Sequence, residues 1–78
     1  MAQADVLKKT GLRIKTLRME HHMTQERLSN DIGMAQSYLA EVENGKRNVS
    51  LVNIARIARG LGVQLSELFE GIPIDDEK

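Results

Sequence analysis

Residues 24–47 read TQERLSNDIGMAQSYLAEVENGKR, and this stretch decides the architecture because it divides into two short helical periods with a forced turn between them. Thr24 supplies a side-chain acceptor at the head of the first period, Leu28 and Ile32 repeat at i and i+4, and Gly33 supplies the backbone freedom that ends it. A second period follows. Leu39, Val42 and Glu43 fall on one side of it, and Gln36, Ser37, Ala40, Glu41 and Asn44 on the other, before Asn44-Gly45 stops the helix. One face is predicted to enter the core while the other stays small and polar.

Working outward, the same 3.6-residue pattern covers nearly all of the chain, and no strand-like alternation or internal repeat competes with it. The fold is therefore expected to be all-α, with five helices. The first helix is predicted from about Val6 to Glu20, burying Leu7, Ile14 and Leu17 and spreading Lys8, Lys9, Arg13, Lys15 and Arg18 around the rest. After the loop from Asn44 to Val49, Ser50 is a good N-cap for a fourth helix. Its Leu51, Ile54, Ala55, Ala58 and Leu61 form an apolar stripe that ends at Gly62. A fifth helix from about Leu65 to Glu70 is closed by Gly71, and Pro73 cannot continue it. Residues 1–71 are thus expected to make one domain, followed by a short C-terminal tail over 72–78.

Seventy-eight residues suit one small core, with little left over to shape a substrate cleft, and self-association is a plausible source of added stability. There is no Cys, which removes disulfides, thiolate metal sites and cysteine nucleophiles. No apolar run approaches membrane-spanning or signal-peptide length, so a cytoplasmic protein without a membrane partner is expected. The formal net charge is zero, but its distribution is uneven. Residues 1–60 hold ten Lys/Arg and six acids, whereas residues 61–78 hold Lys78 against Glu67, Glu70, Asp75, Asp76 and Glu77. Screening beyond roughly 10 Å at 0.1 M salt separates the two ends, so the basic part is available to an anionic partner and the acidic end should face away from it.

Two helices, a tight turn and a small polar face on the second make the layout of a helix-turn-helix. The chain resembles the phage repressor and Cro-type (XRE) helix-turn-helix family, and within it the controller proteins of restriction-modification systems. The resemblance runs from Gly11-Leu12-Arg13-Ile14 through Leu17-Arg18, Thr24-Gln25-Glu26-Arg27-Leu28, Ile32-Gly33, Leu39 and Glu43-Asn44-Gly45-Lys46-Arg47. It continues to Leu51, Ile57-Ala58, Leu61-Gly62-Val63 and Leu68-Phe69. It implies a compact five-helix domain of the lambda-repressor-like type, with helices two and three forming the motif. Four positions depart from the family pattern: Ala35 and Gln64 stand where Ser or Thr commonly caps, Arg27 replaces an acidic capping-box partner, and Val49 replaces a frequent Pro. Each departure weakens local stability by about 0.5 to 1 kcal/mol and leaves the architecture intact.

A helix in the major groove needs short polar groups near its N-terminus that reach base edges, and Gln36 and Ser37 occupy that place. The resemblance implies that both contact bases, with Tyr38 and Glu41 as additional candidates; the bland alternative for the first two is a solvated helix start. Tyr38 is open between packing on thymine methyls with its hydroxyl on a phosphate and covering the edge of the core. Glu41 is open between accepting from cytosine N4 and pairing within the protein. For phosphates, the resemblance implies Gln25 at the start of helix two, where the helix dipole also favours an anion, and the polar loop Asn44, Lys46, Arg47, Asn48 and Ser50. It also implies that Arg18 pairs with Glu43 in a structural role.

His21 and His22 are adjacent, so they face different directions, and with no third ligand nearby they are expected to be surface residues and not a metal site. No nucleophile stands beside a base and no Gly-rich phosphate loop is present, so no enzyme and no cofactor is expected. The expected function is sequence-specific transcriptional regulation by a homodimer on a pseudo-palindromic operator in double-stranded DNA, as a restriction-modification controller. RNA polymerase is a further candidate partner. A phage-like repressor, a DNA-binding antitoxin and a protein-interaction module that antagonises another regulator remain as alternatives. Leu68 should face inward with Val63 and Leu61, leaving Leu65, Phe69, Ile72 and Ile74 as the candidate dimer interface.

Overall fold

The computed structural model describes residues 3–72. Within them the chain forms five helices in the order α1 Gln3–Glu20, α2 Gln25–Ile32, α3 Gln36–Glu43, α4 Leu51–Leu61 and α5 Leu65–Leu68. The expected Ile74 contact and the tail from residue 73 onward lie outside the described residues. Among those described, no helix is long and apolar enough to cross a membrane.

The helix boundaries follow from local hydrogen bonding. Thr24 Oγ1 accepts from the Arg27 N–H at 3.0 Å, and Ser50 Oγ accepts from the Asn53 N–H at 3.1 Å, so α2 and α4 begin where their capping side chains stand. Ala35, which has no side-chain acceptor, and Gln64, whose amide oxygen is not engaged there, provide no side-chain cap for α3 and α5. At its other end α2 closes at Gly33, whose φ of 66° lets the Met34 N–H reach back to Ser29 O at 2.8 Å. The same closure ends α1, where His22 adopts φ 57° and the Met23 N–H reaches Arg18 O at 3.0 Å. There an L side chain sits in a conformation that glycine usually holds.

The core gathers Ile14 and Leu17 from α1, Leu28 and Ile32 from α2, Leu39 and Val42 from α3, Ile54, Ile57, Ala58 and Leu61 from α4, and Leu68 from α5, with Met34 from the motif's turn. Two helix crossings depend on the absence of a side chain. A Cβ at Gly11 would collide with the carbonyl oxygens of Val42 and Glu43, so α1 lies directly against the backbone of α3. A Cβ at Gly60 would run into the Ile32 and Leu28 side chains, which brings α4 onto α2.

Three expectations are corrected. The α4 stripe runs through Ile54, Ile57, Ala58 and Leu61, and Ala55 and Leu51 are exposed, Leu51 by 67%. Leu51 shares the angular position of Ile54 and Ala58 but sits in the first turn, where no helix covers it. α1 begins three residues before Val6, with acidic Asp5 in a first turn that favours negative charge. α5 stops at Leu68, short of Glu70, because Phe69 leaves helical geometry and Gly71 turns with φ 79°.

Candidate nucleic-acid interface

The second helix of the motif is positioned from behind by a buried polar cluster. Glu43, at the end of α3, has a side chain only 1% exposed and receives Arg18 at both oxygens, Nε to Oε2 at 2.7 Å and Nη2 to Oε1 at 3.0 Å. Arg18 Nη1 also donates to Met23 O at 2.8 Å, tying α1, the segment entering α2 and the end of α3 to one guanidinium. Such a fork is what makes arginine suited to a desolvated carboxylate. The expected Arg18–Glu43 pairing is therefore present. Gln25 joins it, its Nε2 donating to Glu43 Oε1 at 2.9 Å. An amide nitrogen carries two hydrogens, so one remains for an acceptor outside the protein.

With its rear face fixed in this way, α3 turns Gln36, Ser37 and Glu41 to solvent and half-buries Tyr38 and Ala40. Asn44, Lys46, Arg47 and Asn48 continue the exposed surface beyond it. Ser50 is exposed too, and its oxygen is engaged as the α4 cap while its hydroxyl proton is available to donate.

Glu41 and Arg47 do not stand apart as separate readers. Arg47 Nε lies 2.7 Å from Glu41 Oε1, with the two side chains 53% and 48% exposed, and its guanidinium sits over the Tyr38 ring at 5.1 Å from the centroid. The hydrogen bond that Arg47 donates to Glu41, then the charge of that carboxylate, raises the Arg47 pKa above its ordinary value. Solvent and salt weaken this contact, which leaves it exchangeable for another anion.

Two residues were missed by sequence reasoning. Asn53 on α4 donates from Nδ2 to the Tyr38 hydroxyl oxygen at 3.1 Å. Arg56, one turn on, donates Nη1 to Asn53 Oδ1 at 3.1 Å and Nη2 to Ile32 O at 2.6 Å and Gly33 O at 3.0 Å, which are carbonyls at the end of α2. The available signal was their polarity and i, i+3 spacing beside the buried Ile54 and Ile57 of an otherwise apolar helix.

Leu68 is fully buried as expected, and Leu65 and Phe69 are each 38% exposed, with Ile72 half-buried. The apolar surface is larger than predicted. A mainly apolar open groove lined by Val6, Leu7, Val49, Leu51, Ile54 and Phe69, with Thr10 and Asn48 at its polar part, adjoins them, and Val52 is 71% exposed. His21 and His22 are both exposed, and no group of three potential metal ligands occurs among the described residues.

The helix-turn-helix family profile matches residues 14–68. The control protein C.MunI of a Mycoplasma species is 45% identical over 69 residues, covering 87% of this chain and 93% of that protein. The crystal structure of the restriction-modification controller protein C.AhdI from Aeromonas hydrophila superposes with a TM-score of 0.78 at 44% identity, covering 85% of this chain and 98% of that one. The controller protein C.Esp1396I, solved as a tetramer in complex with its natural 35 base-pair operator, superposes with a TM-score of 0.80 at 31% identity, covering 86% and 88%. The chain belongs to the helix-turn-helix (XRE-type) family of transcriptional regulators, and its relatives there include controller proteins of restriction-modification systems.

Proposed function

We propose that this protein is itself the controller of a restriction-modification system, binding a pseudo-palindromic operator as a homodimer through α3 of each subunit. The observation that carries the reading is the exposed start of α3, where Gln36 and Ser37 stand free of any core role while the opposite face of the helix is locked by Arg18 and Glu43. Gln36 and Ser37 are the base-contacting side chains, with Tyr38 beside them as a donor to a phosphate or base edge and Glu41, paired with Arg47, as an additional contact only where Arg47 moves to a phosphate. Gln25 holds a phosphate at the start of α2, and Asn44, Lys46, Arg47, Asn48 and Ser50 grip the backbone on the other side of α3. Phosphate contacts supply most of the affinity and the base contacts supply selectivity.

One recognition helix spans too few base pairs to select a site in a genome, so a second copy is required. Leu65, Phe69 and Ile72 with Leu51, which shares a groove with Phe69, are the interface, residues 1–71 being the domain that pairs. Twofold pairing sets the two α3 helices about one DNA turn, roughly 34 Å, apart. Selection of duplexes from a random pool at fixed salt tests this. Enrichment of two inverted half-sites at that spacing is expected, and binding that is salt-sensitive but without any enriched sequence rejects it.

A further inference from the structure

We infer that Asn53 and Arg56 of α4, outside the helix-turn-helix itself, are positioning residues that set how α3 reads DNA. The argument starts from one continuous chain of hydrogen bonds. Arg56 clasps the carbonyls of Ile32 and Gly33, where α2 turns into α3, and holds Asn53 Oδ1 with its other nitrogen. That contact leaves Asn53 only one orientation, since its carbonyl oxygen must face the guanidinium. Its Nδ2 is therefore directed at the Tyr38 hydroxyl. A phenol oxygen that accepts from Asn53 has its own proton left to give. Tyr38 is thus set as a donor toward an anionic or carbonyl acceptor, and its ring, under the Arg47 guanidinium, is fixed in place on α3.

The two ends of the chain matter together. Arg56 fixes the turn that sets the angle between α2 and α3, and Asn53 fixes a side chain on the reading helix itself. Base-edge hydrogen bonds tolerate little displacement, so a small rotation of α3 weakens the cognate complex while phosphate attraction persists on any sequence. Two local features suit this role over general packing. Arg56 spends three donor contacts on the motif's turn and on Asn53 without any carboxylate among those partners, and Asn53 is only half-buried.

This inference rests on the reading of α3 as the base-contacting helix, and the experiment separates the two. The full chain is used to select a preferred duplex from a random pool, and affinities for that duplex and for a scrambled one are titrated at several salt concentrations. Arg56→Lys keeps the charge and the stem but loses the fork, and Asn53→Ala removes the amide. Each variant is first shown to be folded at the assay temperature by far-UV circular dichroism and a thermal melt. Each should lower affinity for the selected duplex about tenfold, the scale of one lost base contact, with the scrambled duplex and the salt slope unchanged. In Tyr38→Phe the effect of Asn53→Ala should largely disappear, because the hydroxyl it orients is gone. Folded variants that keep wild-type selectivity or weaken both duplexes equally, or an Asn53→Ala loss that adds in full to that of Tyr38→Phe, overturn the inference and leave the reading of α3 standing. A wild-type chain that selects no sequence overturns both.

Discussion

Removing the Glu43 carboxylate should be among the most damaging single changes outside the apolar core, and its size follows from what remains behind. In Glu43→Leu the side-chain volume is nearly kept, but Arg18, buried and aimed at the vacant position, loses both carboxylate contacts and keeps only Met23 O. Breaking a buried pair by removing one partner costs about 3 to 5 kcal/mol, because the surviving charge is left in a poorly solvated site. A chain of 78 residues has about 4 to 12 kcal/mol of total stability, so the loss consumes a large part of it. At about 4 to 8 °C per kcal/mol for a domain of this size, Tm should fall by at least about 12 °C. The double variant Arg18→Met, Glu43→Leu removes both charges together. It should recover to within about 1 kcal/mol of wild type, since Gln25 is only half-buried and water can replace its lost acceptor. Urea denaturation followed by circular dichroism at 222 nm reads Glu43→Leu, Arg18→Met and the double variant. A Glu43→Leu loss under about 1 kcal/mol, or a double variant no more stable than either single one, refutes the argument from the stranded guanidinium.

Gln36→Ala should cost about 1 to 3 kcal/mol on the selected duplex with little change on random DNA, and equal losses in a gel-shift titration contradict base reading. Arg47→Ala should weaken binding to all sequences and lower the salt slope by about one unit, and it also strips Glu41 of its cation. An unchanged slope removes Arg47 from the phosphate contacts. His22→Gly should stabilise the protein by about 0.5 kcal/mol, because relief of the left-handed strain at φ 57° exceeds the entropy gained by the unfolded chain. A lower Tm in a thermal melt disproves that balance. Phe69→Ser should keep its helical content, shift sedimentation toward monomer at a cost of about 2 kcal/mol to association, and reduce operator affinity with it. A folded variant as dimeric as wild type excludes Phe69 as the anchor.

The parts of the fold that were legible in the sequence are those fixed over short chain distances. Thr24 and Ser50 cap residues three positions on, and Gly33 and Gly62 close helices through contacts within one turn, so residue type and spacing carry the information. The inward positions of Leu28, Ile32, Leu39, Val42 and Leu68 follow from periodicity alone. Leu51 was misplaced because periodicity gives an angle around the helix and says nothing of whether another helix covers that turn. Asn53 and Arg56 escaped for a different reason. Arg56 reaches carbonyls 23 and 24 residues away, and a backbone carbonyl has no residue identity that a pattern can register.

The same blindness affects any estimate of DNA affinity from charge. Arg13 donates to the Leu68 and Glu67 carbonyls at the end of α5, Arg18 to Glu43 and Met23, and Arg56 to the end of α2. Each places a cation against the negative end of a chain segment or a carboxylate, where it stabilises the fold. Arg27 lies 3.7 Å from Asp31, and Arg47 faces Glu41. Arg13, Arg18, Arg27, Arg47 and Arg56 thus have protein partners, and three of them donate to main-chain carbonyls in the turns and helix ends that hold the domain together. Only the exposed pairs of Arg27 and Arg47 can be exchanged for phosphate without unmaking such contacts. On the proposed reading of the interface, the grip on DNA draws on neutral donors as well as on charge: the second Gln25 amide hydrogen, Asn44, Asn48, the Ser50 hydroxyl and main-chain N–H groups. A salt slope well below the one a count of Lys and Arg implies is the measurable consequence, since neutral donors bind phosphate while adding far less than one released counterion each.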